Sequence, residues 1–153
     1  MLEPGFAARA AELGLDRACL RYDGAPPTAA ALEDRLERDL ERGVTGLGPH
    51  LDEVVIASGD RELRSFGSQG EQRLVVLALL LAETELISER RSVPPLLLLD
   101  DVLSELDPER RRILAERVAR HGQTLVTATD ASFLPFAPAQ LLEVSPGRVE
   151  VRA

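Results

Sequence analysis

At 153 residues, with 44% hydrophobic content, the chain is long enough to bury a core and too apolar to be a disordered chain. Its net charge of −8 excludes a broadly basic surface for nonspecific DNA binding, although Arg110, Arg111 and Arg112 form a local basic run. All 18 basic residues are arginines, so chemistry that needs a lysine ammonium is excluded from this chain.

The longest apolar stretch, Leu74 to Ala82, is too short to span a bilayer, and no basic start followed by an apolar run indicates a signal peptide. The single cysteine, Cys19, cannot form an internal disulfide, which is typical of a protein in a reducing compartment. We therefore expect a cytoplasmic protein with no membrane partner.

The first part of the chain predicts two helices around one strand. Residues 6–13 are rich in alanine and predict a short helix, and residues 17–22 predict a strand. Thr28 is a good N-cap for a second helix that continues to Arg42 and stops at Gly43. Its apolar positions recur every four residues, at Leu32, Leu36 and Leu40.

The middle of the chain changes composition and predicts a loop, a hairpin and a buried helix. Residues 43–50 predict the loop, and residues 54–57 predict a short buried strand that pairs with residues 61–66. A Gly/Ser loop then leads into a helix over 71–89, whose apolar stretch predicts burial on most sides.

The last part of the chain predicts parallel strands joined by a helix. Residues 96–99 are a continuous apolar run, which predicts a strand covered on both faces of a sheet. Asp107 and Pro108 predict the start of a helix that continues to His121, followed by a strand over 125–128. A terminal hairpin is predicted over 141–151.

Two acids, Asp100 and Asp101, follow the apolar strand directly. Ligands of open α/β sheets bind at the carboxyl ends of the strands, and Mg²⁺ takes one or two carboxylates together with phosphate oxygens. Asp100 is therefore a candidate metal ligand, and Asp101 a candidate for orienting or activating a water. The alternative is that both are acidic residues of a surface loop, and this motif alone does not decide between the two.

Three further polar groups are candidates. Ser68 and Gly70 precede a helix, whose N-terminus favours anions, but an ordinary helix cap is the more frequent meaning of such a sequence. Ser104 and Asp107 follow the two acids, and Asp107 is well explained as an N-cap. Thr129 ends the next strand and carries little specificity alone.

In order and spacing these groups resemble the second half of an ABC-type ATPase head. Within that class they resemble the RecF family. The stretches that carry the resemblance are TGLGPH with Asp52 at 45–52, FGSQGEQR at 66–73, LLLLDDVLSELD at 96–107 and QTLVTATD at 123–130.

The resemblance implies an α/β fold: the C-terminal half of an ABC-type, P-loop NTPase head, with a mostly parallel sheet flanked by helices. Residues 1–43 would be the end of a helical arm, and residues 44–153 the C-terminal part of the head. ATP and Mg²⁺ are the implied cofactors.

The resemblance also implies a role for each candidate residue. Asp100 would be the Mg²⁺-linked Walker B acid and Asp101 the catalytic acid. Ser104 and Asp107 would belong to the D-loop, and Thr129 would stand where many ABC-type proteins carry a switch histidine. The signature motif, which contacts the nucleotide of a partner subunit, would be formed by Ser68, Gln69, Gly70 and Glu71. Leu51 departs from the family, where a basic residue usually follows Gly-Pro-His.

One element of the family is missing from this chain. A P-loop has the pattern G-x-x-x-x-G-K-[ST] and needs its lysine, which the sequence lacks. We expect the isolated chain to be inactive as an ATPase and to need an N-terminal half that carries Walker A. The resemblance implies that the protein dimerises with ATP, binds DNA at single- and double-stranded junctions, and acts with other recombination mediators. It also implies a role in recombinase loading at gaps, recombinational repair and the SOS response.

Other functional classes remain as alternatives. A truncated head would be catalytically inert or serve for binding only. A Toprim-like, metal-dependent nuclease also uses acids at strand ends, but it typically has Asp-x-Asp and leaves FGSQGEQR unexplained. A phospho-acceptor receiver domain needs a lysine, which this sequence does not contain.

Overall fold

The computed structural model describes residues 2–152, which fall into two compact units divided between Glu83 and Thr84. Helices and strands are mixed in both units. No helix within residues 2–152 is long and apolar enough to cross a membrane.

The first unit contains a three-stranded antiparallel sheet and the start of the longest helix. Its elements are α1 Leu2–Glu12, β1 Ala18–Asp23, α2 Ala29–Glu33, α3 Leu36–Arg42, β2 Glu53–Ser58, β3 Arg61–Glu62, α4 Leu63–Phe66 and α5 Gln69–Arg91, which continues into the second unit. The sheet has the order β1-β2-β3, with Ala18 opposite Ser58 and Asp23 opposite Glu53. Because β1 pairs with β2, the sheet crosses the predicted boundary at residue 43.

The core of the first unit is aliphatic apart from one phenylalanine. The buried hydrophobic residues are Phe6, Ala10, Leu13, Leu15, Ala18, Leu63, Leu74, Val75, Leu77, Ala78, Leu81 and Ala82. Gly5 lies close to α5, since a Cβ built on it would stand 3.5 Å from the Cβ of Ala82. Within residues 74–82 of α5 most side chains are buried, as predicted, and Val76 is the exception that is exposed.

The helix predicted from Thr28 to Arg42 is two helices. Thr28 caps the first, since its Oγ1 accepts a hydrogen bond from the N–H of Ala31 at 3.2 Å, and Gly43 ends the second in the left-handed conformation. The chain breaks between them at Asp34 and Arg35. The three leucines of the predicted stripe are all exposed. The predicted stripe is therefore not packed in a core, and no buried contact among the described residues supports one continuous helix across Asp34 and Arg35.

The strand predicted over residues 61–66 is shorter than expected. β3 has only two residues, and the chain then forms the short helix α4 instead of a full hairpin strand. Leu63, the first residue of α4, is fully buried, so the helix turns this side chain into the core.

The second unit contains the parallel strands. Its elements, besides the end of α5, are β4 Leu97–Asp100, a 3-10 helix Val102–Glu105, α6 Pro108–Val118, β5 Thr124–Thr127, a 3-10 helix Ala131–Phe133, β6 Leu141–Ser145 and β7 Arg148–Arg152. β4 and β5 pair in parallel, which confirms the predicted parallel sheet, and β6 and β7 form the predicted terminal hairpin.

Strand β4 is covered on one face only in the chain that the structure describes. Leu97 and Leu99 are buried, whereas Leu98 between them is 62% exposed, and Leu125 on β5 is exposed as well. The prediction of a strand covered on both faces is therefore wrong for this chain. Successive side chains of a strand point to opposite faces, and here one of those faces is open to solvent.

Hairpin β6–β7 has an apolar face that is also exposed. Leu142 is opposite Val151 and Val144 is opposite Val149, so four apolar side chains share one face. All four are exposed.

Candidate functional site

The two acids lie at the carboxyl end of the parallel pair β4–β5. Asp100 is the last residue of β4 and is exposed, and the register places it opposite Thr127, the last residue of β5. The hydroxyl of Thr127 donates a hydrogen bond to Oδ1 of Asp100 at 2.5 Å. The carboxylate is therefore at the sheet edge where the sequence predicts it, and one of its oxygens is held by a side chain from the next strand.

Asp101 turns the chain sharply away from β4. Its φ of +48° lies in the left-handed region, which residues other than glycine adopt infrequently, although aspartate does so more readily than most. Its N–H donates to Thr127 twice, to the carbonyl oxygen at 3.2 Å and to Oγ1 at 3.0 Å. These bonds hold the strained backbone in place, and the Asp101 side chain stays exposed.

The predicted D-loop residues follow in a 3-10 helix and a helix cap. The hydroxyl of Ser104 donates to the carbonyl of Asp101 at 2.9 Å, which ties this loop to the acid pair. Asp107 caps α6 as predicted: its Oδ1 accepts from the N–H of Arg110 at 2.9 Å and its Oδ2 from the Arg110 guanidinium at 2.7 Å. The Arg110 N–H is the main reason that the pKa of Asp107 is lowered.

Sequence reasoning missed a contact that supports this loop from outside. Arg111 Nε donates to the carbonyl of Leu103 at 2.8 Å, and its guanidinium lies 4.3 Å from the centroid of the Phe133 ring. A cation over an aromatic face is attracted electrostatically. No local pattern signals this pairing, because the two residues are far apart in the sequence.

The arginine run at 110–112 is not a free basic patch. Arg110 pairs with Asp107, and Arg112 pairs with Glu109 at 2.7 Å and with Glu116. These neighbours offset the positive charge along the first turns of α6. The run therefore offers less positive charge to a nucleic acid than its sequence indicates.

Thr129 lies outside the regular strand. β5 ends at Thr127, and Thr129 is an exposed residue in the bend that follows. The next residue, Asp130, caps the 3-10 helix Ala131–Phe133 by accepting from the N–H of Ser132 at 2.8 Å. The structure thus gives Asp130 a capping role and places Thr129 at the surface beyond the sheet edge.

The predicted signature residues lie in the first unit, at the start of α5. Ser68 and Glu71 form a reciprocal cap: the N–H of Glu71 donates to Ser68 Oγ at 3.2 Å, and the N–H of Ser68 donates to Glu71 Oε2 at 2.8 Å. Ser68, Gln69 and Gly70 are exposed, and a Cβ built on Gly70 would meet no atom within 4 Å. The cap that sequence reasoning offered as the alternative is present. The hydroxyl of Ser68 accepts within it and keeps its own hydrogen to donate.

Two further residues, which the sequence did not single out, hold this loop. Gln72 Nε2 lies within hydrogen-bond distance of the carbonyls of Leu63, Arg64 and Gly67, at 3.1 to 3.3 Å. Arg61 donates to the carbonyl of Phe66 at 3.3 Å and to Glu71 Oε1 at 2.5 Å. The loop before α5 is thus fixed through its own backbone carbonyls.

The Gly-Pro-His loop is tied to its neighbours in the first unit. The Tyr22 hydroxyl on β1 donates to Oδ2 of Asp52, which raises the pKa of Tyr22. The N–H of Gly46 donates to Asp39 on α3 at 3.0 Å, and His50 Nε2 lies 2.9 Å from the carbonyl of Thr45. Leu51, where the family usually has a basic residue, is exposed.

The two groups of predicted residues belong to different units. In the second unit Thr127 joins Asp100 to Asp101, and Ser104 joins the same group. Within residues 2–152 no three His, Cys, Asp or Glu side chains form a metal-binding cluster. The Asp100 carboxylate nevertheless fits Mg²⁺, because that ion is usually bound through one or two carboxylates and completes its shell with water and phosphate oxygens.

The pH dependence of stability tests the Ser68–Glu71 cap. The pKa of Glu71 is lowered, chiefly because the backbone N–H of Ser68 donates to it, with Arg61 adding to the effect. A lowered folded-state pKa contributes stability above the unfolded pKa, and this stability is lost as pH falls through the folded pKa. We therefore expect Glu71→Gln to show a smaller drop in unfolding temperature than the unchanged chain when pH is lowered through the carboxyl range. Glu89→Gln, at the exposed end of the same helix, is the control. An unaltered pH dependence in Glu71→Gln would contradict the cap's contribution.

No family model matches the chain. The chain is 49% identical over 129 residues to the DNA replication and repair protein RecF of Anaeromyxobacter sp. (strain K), and 46% identical over 127 residues to that of Myxococcus xanthus (strain DK1622). These alignments cover 84% and 80% of this chain, which spans about a third of the length of the curated relatives it matches (34% and 33%).

Solved structures of RecF also match the chain. The structure of the recombination mediator protein RecF-ATP in the RecFOR pathway matches with a TM-score of 0.74 and 25% identity, covering 99% of this chain and 43% of that chain. The RecF-ATPrS structure matches with a TM-score of 0.73 at 23% identity, covering 99% and 44%. The fold, in which Asp100 ends the parallel pair β4–β5, is thus that of part of an ABC-type ATPase. The chain matches the C-terminal part of RecF.

Proposed function

We propose that the chain forms the signature, Walker B and D-loop part of a RecF-like, ATP-binding DNA replication and repair protein. The observation that carries this proposal is the match of 99% of the chain to RecF-ATP at a TM-score of 0.74. The exposed acids at the carboxyl end of β4–β5 support it, because that edge is where open α/β sheets bind their ligands.

In this proposal Asp100 holds Mg²⁺ and Asp101 orients or activates the attacking water. The metal, when bound, neutralises charge on the transferred phosphoryl group. Ser104 and Asp107 keep the D-loop in place through the contacts described above. Thr129 takes the switch position, although the side chain of threonine lacks the imidazole that many ABC-type proteins use there.

The signature residues are proposed to act on a nucleotide held by another subunit. Ser68 retains a hydroxyl hydrogen for a phosphate oxygen, and the N-terminus of α5 adds positive potential. Gln69 and Gly70 are exposed at the same end, where Gly70 leaves room for close approach. Glu71 supports the loop by capping the helix. These contacts belong to an ATP-dependent homodimer, the arrangement that the resemblance implies.

The P-loop of the ATP site, with its lysine, must come from another polypeptide segment, because this sequence contains no lysine. We propose that this segment is an N-terminal half with a P-loop, and that residues 1–43 are the end of the helical arm joining it to the head. DNA junctions and other recombination mediators are the proposed partners. Recombinase loading at gaps is the proposed outcome, within recombinational repair and the SOS response in the cytoplasm.

Hydrolysis assays with and without the P-loop segment test this proposal. The isolated chain is expected to show no ATP hydrolysis above background, and addition of an N-terminal P-loop half, giving what we call the assembled protein, is expected to restore it. Ser68→Arg should abolish the restored activity, since it places a bulky cation at the nucleotide-facing cap, whereas Ser132→Arg, at an exposed serine of the second unit, should not. Clear turnover by the isolated chain would refute the division of the site.

An inert or binding-only head is the second candidate, favoured by the same absence of lysine. In that case the assembled protein binds ATP or DNA without hydrolysing ATP. Mg²⁺-dependent cleavage of DNA by the chain alone would instead support the Toprim-like nuclease.

A further inference from the structure

Thr127 connects the two acids at the sheet edge. It is the last residue of β5 and stands opposite Asp100 in the parallel register. Its hydroxyl contacts the side chain of Asp100 and the main chain of Asp101, and its carbonyl accepts a second bond from Asp101. The Thr127 side chain therefore contacts both candidate functional residues, Asp100 at the end of β4 and Asp101 directly after it.

The direction of these bonds follows from the chemistry of a hydroxyl. A hydroxyl has one hydrogen to donate and two lone pairs to accept with. Oγ1 of Thr127 accepts from the N–H of Asp101 at 3.0 Å, so its own hydrogen is available for the carboxylate of Asp100 at 2.5 Å. A hydrogen bond to a charged acceptor is stronger than one between neutral groups. The Asp101 N–H thus donates to the Thr127 hydroxyl, which in turn donates to the Asp100 carboxylate.

These two hydrogen bonds constrain the Asp100 side chain and the Asp101 backbone, which would otherwise be free to move. Asp100 is exposed, so packing does not hold its side chain, and the Thr127 bond fixes the orientation of Oδ1. Asp101 has a left-handed backbone that costs energy for a residue with a Cβ, and the two bonds to Thr127 support it. Loss of the hydroxyl removes the constraint on the carboxylate and one of the two bonds to Asp101.

We propose that Thr127 is a positioning residue for the acid pair: its hydroxyl orients the Asp100 carboxylate toward a divalent cation and holds the backbone that aims Asp101. This inference rests on the proposed function, because it takes Asp100 as the metal ligand. Hydrogen-bonding partners of metal ligands commonly change metal affinity by about 10- to 100-fold when they are mutated.

Three substitutions separate this role from a merely structural one. Thr127→Val keeps the β-branched shape and removes the hydroxyl, whereas Thr127→Ser keeps the hydroxyl and removes the methyl. Thr124→Val is the matched control at the other end of β5, because Oγ1 of Thr124 is buried without a hydrogen-bond partner among the described residues. Valine at that position leaves no hydrogen bond broken.

The first measurement is metal binding, read without catalysis. Mn²⁺ is titrated into the ATP-bound assembled protein and followed by electron paramagnetic resonance. We expect Thr127→Val to weaken Mn²⁺ binding by about 10- to 100-fold, and Thr127→Ser and Thr124→Val to remain close to the unchanged protein. Equal weakening by Thr127→Val and Thr127→Ser would overturn the inference, as would unchanged affinity in Thr127→Val.

The second measurement is local and uses the chain alone. Amide hydrogen exchange at Asp101 is expected to speed up about 3- to 10-fold in Thr127→Val, the range for loss of one hydrogen bond, and to stay unchanged in Thr127→Ser. If Thr127→Val does not fold, Thr127→Ala is compared with Thr127→Ser in both measurements, and equal behaviour of that pair would overturn the inference.

Asp100→Asn distinguishes the positioning role of Thr127 from the metal role of Asp100: if it leaves Mn²⁺ affinity unchanged, the metal role of Asp100 fails. If only Thr127→Val is without effect, the positioning role alone fails.

Discussion

Asp100→Asn is expected to lower ATP hydrolysis by the assembled protein by about 10²- to 10³-fold. Asparagine keeps the shape of the side chain and its bond from Thr127, but removes the negative charge that we propose binds Mg²⁺. A catalytic metal stabilises the transition state by several kcal/mol, and each factor of ten in rate corresponds to about 1.4 kcal/mol. Steady-state phosphate release, measured at saturating ATP, gives the comparison.

The control for this substitution is Asp60→Asn. Asp60 lies in the exposed turn between β2 and β3, in the other unit of the chain, and its substitution is expected to leave hydrolysis unchanged. If Asp100→Asn retains the full rate at low and high Mg²⁺, the Walker B role of this residue is wrong.

Leu99→Ala is expected to lower the free energy of unfolding of the chain by about 2–5 kcal/mol, the range for a buried leucine cut back to alanine. Leu99 is 3% exposed and lies directly before Asp100. The substitution removes apolar contacts and leaves a cavity at the strand that carries the acids. Chemical denaturation, with the midpoint compared at unchanged slope, measures the effect.

Leu98→Ala is the matched control one position earlier on the same strand. Its side chain is 62% exposed, so the same change of residue is expected to lower stability by less than about 1 kcal/mol. Comparable losses from the two substitutions would contradict the one-sided burial of β4.

Signals that lie within a few residues of each other predicted the local structure well. Asp107 with Pro108 marked the start of α6, Thr28 marked a helix start, and Gly43 marked a helix end, because each depends on hydrogen bonds or dihedral angles of its own neighbourhood. The apolar run before Asp100 marked a strand for a similar reason. Such signals needed no knowledge of the tertiary structure.

Features that depend on distant residues could not be predicted in the same way. Four apolar residues in a row cannot reveal which face of a strand is covered, so the exposure of Leu98 had no signal in the sequence. The pairing of Thr127 with Asp100 follows from strand register, and that of Arg111 with Phe133 follows from how a loop folds back. The break at Asp34 could not be predicted either. The leucine pattern predicted one continuous helix packed on a core, whereas the three leucines are exposed in the structure.

The candidate site was predicted from the sequence mainly through the order of its motifs. Ser68 alone indicated a helix cap, which is what its hydrogen bonds with Glu71 form. The acids alone left a surface loop as an equal alternative. The resemblance of the combined motifs to RecF, confirmed by the comparisons, is what makes these residues candidates for one chemistry.

The valine-rich side of the β6–β7 hairpin has a practical consequence for handling the protein. Four aliphatic side chains form an exposed apolar face on this ribbon, and no third strand among the described residues pairs with either of its edges. Exposed apolar faces and unpaired strand edges favour association between molecules. Preparations of this chain at high concentration are therefore expected to associate through this ribbon, and a charged residue in place of Val144 should reduce that association.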